Sequence, residues 1–468
     1  MEITPEIRSS HEAMCPQGMD FLEYMSRNTQ WHKPVADLIE LPQLVTATPE
    51  VLLTWLPLMS TASYQHTHDV LDQLIGLIRS IPRRLFDNDP KKLMQAYPFP
   101  TEEAAADVLR EPQGATGRMS RSDLVWAPDG WKLLEVNSSA LVAGVDLCFV
   151  AQKLVGEPIL TDFLNQHGLT AQVPNIEDLY FIHMVEETLK FVEGREGGQL
   201  NVGVWLDDAP ELDPQPEALN PGFGERLGQY KEGHTGHYFM FSTADQLEVR
   251  DKDLYFMGHR IHLLIRMPFY NAPKFVVEAF KHRRIQWFGL PMDMLLSDKR
   301  NLGLLSANGD NPDLFNAEER SLIERHIPWS RLLVPGPNTW RGEKISSLVD
   351  LVIEKREQMM LKPFIGHAGK DVYAGAATEP DTWKQMVEEA AEKGGVLAQE
   401  MIESRPFLWH YRDQGMTECR AVWGVFRFGE QDGGTIMRNV PMANPPGVIN
   451  SLRGASTGEA LVVEKLSG

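Results

Sequence analysis

The chain has 468 residues, 43% hydrophobic and 24% charged, which is ordinary globular composition, and at roughly 150 residues per domain it suggests about three domains. Asp and Glu number 65 against 45 Lys and Arg, a formal charge of −20, which excludes a general polyanion binder because phosphate backbones need a basic face. Cys15, Cys148 and Cys419 are too sparse for a disulfide scaffold and fit a reducing cytoplasm.

The opening, MEITPEIRSSHEAM, carries both signs of charge and no apolar core, so no signal peptide is expected. No apolar run approaches the length of a membrane span; stretches such as Val51–Met59 and Leu254–Met257 are the size of core elements. Residues 1–105 read as a helical region, with Val70, Leu71, Leu74, Ile75, Ile78 and Ile81 forming one helical stripe over Asp69–Ile81. Residues 106–155 read as a hairpin followed by a buried helix holding Cys148. Residues 156–330 mix helices, one over Asp178–Val192, with buried strands at Leu200–Leu206 and His262–Ile265 and a Pro-rich loop at Pro210–Gly222. In 331–468 a strand–loop–strand–helix–strand pattern runs from about Gln358, with a helix near Asp381–Lys393 buried through Trp383, Val387, Ala390 and Ala391, and Gly- and Asn-rich loops end the chain. Strands and helices interleaved in blocks indicate an α+β or mixed α/β protein.

The hairpin carries the first chemistry. Alternation places Arg121 and Asp123 on one face of its first strand and Glu135 and Asn137 on one face of its second. A three-residue turn at Pro128–Gly130 sets Asp123 opposite Glu135 and Arg121 opposite Asn137, whereas a two-residue Asp129-Gly130 turn separates the pairs. Two carboxylates and an amide oxygen suit Mg²⁺, and an adjacent Arg can grip a phosphate or carboxylate. The plainer alternative is a half-exposed hairpin with charges on its solvent face.

In the second stretch, an apolar strand ends at Lys362, and Gly366 and Gly369 follow in a small-residue loop through His367 and Ala368. Glycines let backbone N–H groups turn toward an anion, and Lys362 supplies a point charge. The spacing is not that of a Walker loop, and a structural hairpin gives the same pattern. Farther on, Gln399-Glu400 interrupts an apolar strand and suits an adenine hinge, or equally a strand end turning to solvent.

Together these stretches resemble the ATP-grasp superfamily in its circularly permuted form, in particular the synthetase module of glutathionylspermidine synthase and related carboxylate–amine ligases. The hairpin of Arg121, Asp123, Glu135 and Asn137 precedes the Lys362–Gly369 loop, the reverse of the ordinary order. Leu296-Ser297-Asp298-Lys299 and Asn338-Thr339-Trp340-Arg341-Gly342 resemble further family segments. The resemblance is patchwise over about 120–460, and no Cys/His amidase module precedes it.

The resemblance implies a nucleotide held between two antiparallel-sheet lobes, with ATP and Mg²⁺ (or Mn²⁺) as cofactors. It implies ATP-dependent ligation of a small-molecule carboxylate to an amine, on amino acids or short peptides, through an acyl phosphate. Asp123, Glu135 and Asn137 would be metal ligands. Arg121, Ser138 and Ser139 would act on the transferring group. Lys362, Gly366, His367, Ala368, Gly369, Gln399, Glu400 and Lys344 would bind nucleotide, with Arg341 beside Lys344. Arg266 and Arg453 are candidate substrate-carboxylate anchors. A phosphotransferase and a nucleotide-binding regulatory protein are the alternatives. No nucleic-acid or membrane partner is expected, and a homodimer is the base-rate expectation. His234 and His237 lack an evident third metal ligand, and His66 and His68 read as exposed.

Overall fold

A computed structural model of the chain describes residues 3–41, 51–109, 119–195, 197–207, 221–267, 270, 273–366 and 369–466. The Pro-rich stretch read as a loop therefore lies outside the described residues over 208–220, and its last two residues begin a helix, Pro221–Tyr230. His367 and Ala368 also lie outside them.

The early stripe belongs to a longer helix, Thr61–Phe86, started by Ser60, whose hydroxyl accepts the Ser63 N–H. All six stripe residues are buried. His68, on the same helix, is fully buried against Asp432 at 3.1 Å rather than exposed: the second turn faces the C-terminal sheet.

The hairpin strands are Met119–Ala127 and Gly130–Ser138. The turn is tighter than the expected three residues. Ala127 pairs with Gly130, leaving Pro128-Asp129 as the connection. That alone would set Asp123 against Leu134, but the register shifts after Leu124–Leu133. Leu134 is the extra residue, and the pairs Asp123–Glu135 and Arg121–Asn137 form.

The chain does not end in loops. Met416–Phe428 and Gln431–Pro441 are long antiparallel strands, followed by Ser456–Glu459 and Leu461–Lys465. Their glycines and Asn439 read as loop residues in sequence, yet burial in a packed sheet overrides that preference. Met416–Phe428 pairs with Met119–Ala127, so a six-stranded antiparallel sheet joins the hairpin to segments three hundred residues away.

Facing it is a four-stranded antiparallel sheet built from Ser330–Leu332, Val396–Glu400, Met359–Pro363 and Tyr373–Ala374. Helix Pro380–Lys393 backs it, burying Trp383, Val387 and Ala391. A third sheet is parallel, in the order Gln286–Phe288, Leu263–Arg266, Val202–Trp205, Tyr238–Phe241. Helix Ile176–Phe191, capped by Asn175, packs near it. Among the described residues no helix is long and apolar enough to cross a membrane.

Candidate functional site

The hairpin, the Lys362 sheet and the carboxyl edge of the parallel sheet all contribute to the wall of one cavity of about 1250 Å³. That exceeds the roughly 300–1,000 Å³ of an ordinary small-ligand pocket, so there is room for a nucleotide and a second molecule. Arg121, Asp123, Glu135, Asn137, Ser138, Ser139, Lys362, Gly366, Gly369, Gln399 and Glu400 all line it.

Asp123 is buried between two guanidinium groups. Arg121 Nε donates to its Oδ1 at 3.2 Å, and Arg438 approaches the same oxygen at 2.7 Å. Burial alone would raise the Asp123 carboxyl, but Arg438 and Arg121 outweigh it and hold the group at about 2. Arg121 also donates to Ala143 O at 2.7 Å. Its stem lies across Gly424, where a Cβ would come within 2.9 Å of Arg121 Cδ. The strand facing Asp123 is thus bare of a side chain where Arg121 needs room.

Glu135 pairs with Lys299 at 3.2 Å. Lys299 also donates to Gly366 O at 3.1 Å, tying the hairpin to the glycine loop. The neighbouring Asp298, buried between Arg300 and Tyr270 at 2.9 and 2.7 Å, fixes the corner that aims Lys299 inward. Lys362 sits beside these groups. Its Nζ donates to Gln399 Oε1 at 2.6 Å and to Leu134 O at 3.4 Å. Burial pulls the Lys362 ammonium down to about 8, against the pull of Glu135 and Asp123.

The oxygens of the hairpin suit a hard cation. Arg121 and Arg438 both take Asp123 Oδ1, Lys299 takes Glu135 Oε2, and Asn137 donates its amide nitrogen to Arg121 O. One further oxygen on each of the three residues has no protein partner among the described residues. Two carboxylates and an amide oxygen are donors appropriate to Mg²⁺ or Mn²⁺. Among the described residues no three His, Cys, Asp or Glu side chains gather as a metal cluster, and His234 and His237 are not an exception.

Some expected residues are used differently. Ser138 donates its hydroxyl to Asp293 at 3.0 Å, and its backbone N–H goes to Ser297, so it ties the hairpin to the helix Pro291–Ser297. Ser139 Oγ accepts the Leu141 N–H at 3.0 Å. The Gln399 side chain accepts from Lys362 and donates to Ser330, so it positions the lysine. Glu400 pairs with Arg341. Lys344 is exposed on a separate two-stranded hairpin and does not reach the cavity wall. Arg266 is engaged with Asp207, and Arg453 donates to Gly369 O at 2.9 Å; both serve other residues rather than standing open as carboxylate anchors.

Arg438 is the main addition to the site. The sequence carried little signal for it, because the glycines and Asn439 around Arg438 read as loop. Its partner, Asp123, could not be read from a strand so distant in the chain.

No protein-family model and no curated protein matches the chain. Among solved structures it is similar to a glutathione synthetase-like effector from Globodera pallida, with a TM-score of 0.52 and 11% identity over 88% of this chain and 90% of that one. A protein provisionally named gamma-glutamylcysteine synthetase from Methylobacillus flagellatus KT aligns over 81% of this chain and 84% of its own at 10% identity, with a TM-score of 0.34. The first likeness shows a shared fold.

Proposed function

We propose that this protein is an ATP-dependent carboxylate–amine ligase of the circularly permuted ATP-grasp type, acting on an amino acid or short peptide. One observation carries the reading. An oxygen-rich hairpin and a lysine–glycine loop face each other across a single cavity, bridged by Lys299 between Glu135 and Gly366. The shared fold with a glutathione synthetase-like protein supports it.

In this reading the donor carboxylate oxygen attacks the γ-phosphorus of ATP. The bond to the β,γ-bridging oxygen breaks, and ADP leaves. The amine nitrogen then attacks the acyl carbon, the C–O bond to phosphate breaks, and phosphate departs with the electron pair. The ammonium proton of the new bond is lost to solvent. Lys362 and Lys299 hold phosphate oxygens, and the glycine loop excludes the water that would hydrolyse the acyl phosphate. Arg121 and Arg438 offer guanidinium charge where the phosphoryl group passes. Asp123, Glu135 and Asn137 would hold Mg²⁺ or Mn²⁺, whose chemistry when bound is neutralisation of phosphate charge.

The test incubates the protein with ATP, Mg²⁺ and pooled amino acids. Release of ADP and phosphate that depends on both a carboxylate and an amine is expected. AMP, or a stable phosphorylated product as from a phosphotransferase, would overturn the reading. Glu135→Ala is expected to abolish turnover while the folded chain persists.

A further inference from the structure

Parallel sheets receive ligands at the carboxyl ends of their strands. In this protein Val202–Trp205 and Leu263–Arg266 run side by side, with Trp205 opposite Arg266. The residues just past them, Leu206, Asp207 and Met267, line the same cavity as the phosphate-facing hairpin. Ser139 connects the two regions: its hydroxyl points at the Met267 sulfur at 3.8 Å.

Asp207 is held from behind. Arg266 donates from Nε to Oδ2 at 3.1 Å and from Nη2 to Oδ1 at 3.2 Å. The guanidinium lies 3.9 Å from the centre of the Trp205 ring, which fixes its plane. Arg266 is only 12% exposed while Asp207 is 33% exposed. The cation therefore faces the protein and the carboxylate faces the cavity. A carboxylate has about four lone-pair positions, and a bidentate guanidinium occupies two. Among the described residues no donor takes the remaining two. The cations of the phosphate end pair elsewhere: Arg121 and Arg438 with Asp123, Lys299 with Glu135. The cavity is thus divided into a cationic phosphate end and an end presenting a carboxylate between Leu206 and Met267.

We propose that Asp207 receives the amine substrate as its ammonium ion, which gives up one proton to solvent to free the nitrogen lone pair before attack, with Arg266 as the positioning residue that aims the carboxylate, so that the acceptor is a cationic primary amine rather than an anionic one. This rests on the ligase reading, and the experiment separates the two. Hydroxylamine, largely uncharged at mildly alkaline pH, traps an acyl phosphate as a hydroxamate without needing an ammonium site.

Purified full-length protein is assayed with ATP, Mg²⁺ and pooled amino acids, with either hydroxylamine or a series of amino-acid amides as acceptor. Asp207→Asn is expected to keep hydroxamate formation within about twofold and to raise the KM for the amides about tenfold or more, with a smaller change in kcat. Asp207→Glu should recover most of that loss, and Arg266→Met should raise the same KM. Equal loss of both reactions in Asp207→Asn, or an unchanged KM for the amides, would overturn the subsite. Absence of hydroxamate with the unaltered protein sinks the ligase reading instead. In that event calorimetric titration with glycinamide, against neutral N-acetylglycinamide, still decides the subsite. Binding of the first alone, lost in Asp207→Asn, supports it; equal binding of both, or none, removes it.

Discussion

Metal-site carboxylates usually repel one another, so neutralising one tends to stabilise a protein. Asp123 should behave in the opposite way. It is the shared anion of Arg121 and Arg438, which are 14% and 8% exposed, and Arg438 Nε has no hydrogen-bond partner among the described residues. Asp123→Asn leaves two buried guanidinium groups facing a neutral amide. Removing one partner of a buried pair costs about 3–5 kcal/mol, and that is the expected loss. Glu135→Gln also strands a buried cation, Lys299, but a single one that keeps its bond to Gly366 O and can still meet the amide oxygen, and Glu135 itself is 27% exposed, so its expected loss is smaller, about 1–3 kcal/mol. Both variants should lose turnover, and their urea-unfolding midpoints should separate them. A second change sharpens the test: Arg438→Met in the Asp123→Asn background removes one stranded cation and should recover part of the stability. An Asp123→Asn midpoint equal to that of the unaltered protein would refute the account of this carboxylate as a structural anion.

Three buried histidines set the acid limit. Burial lowers His11 to about 3, and His183 and His262 to about 4, from 6.5. His11 and His262 each accept a backbone N–H, from Leu408 and Asn201, and so are held neutral. The unfolded chain binds these protons first. The histidines' contribution is therefore complete above 6.5 and is lost as the pH drops from there toward 4, at up to about 4 kcal/mol per pH unit for the three together. A flat unfolding midpoint over that window would contradict it. Glu459 acts in the reverse sense: burial holds its carboxyl well above 4.5, and neither oxygen has a hydrogen-bond partner among the described residues. Its folded form keeps a proton that the unfolded chain releases, so it lowers stability as pH rises above 4.5. Glu459→Met should raise the unfolding midpoint, with a gain that grows as the pH rises above 4.5; a gain independent of pH would count against this. Gly369 has φ +68°, and a Cβ there would come within 2.5 Å of Val448 Cγ1. Gly369→Ala should therefore slow ATP turnover about tenfold or more with little change in unfolding midpoint, because the strain falls on the loop. Unaltered turnover would show that the loop need not close against Val448.

Local periodicity was enough to locate the core of the helix Thr61–Phe86, the helix Ile176–Phe191, two of the four strands of the parallel sheet, and the face shared by Arg121, Asp123, Glu135 and Asn137. Those features depend on which side of one element each residue occupies, and a sequence encodes that directly. Even there, the hairpin reached its register through a tighter turn offset by an extra Leu134, two departures that cancel. What the chain places next to the hairpin could not be read locally. Asp123 finds Arg438, Glu135 finds Lys299, and Asp207 finds Arg266 only when distant strands are assembled. The strands carrying Arg438 also looked like loops, because Gly and Asn lose their turn preference only once a sheet buries them. The amino-acid sequence thus determined that Asp123, Glu135 and Asn137 share one face of the hairpin. The tertiary structure decided which cation each carboxylate faces, since pairing of buried charges is settled by desolvation in the packed interior and not by spacing along the chain.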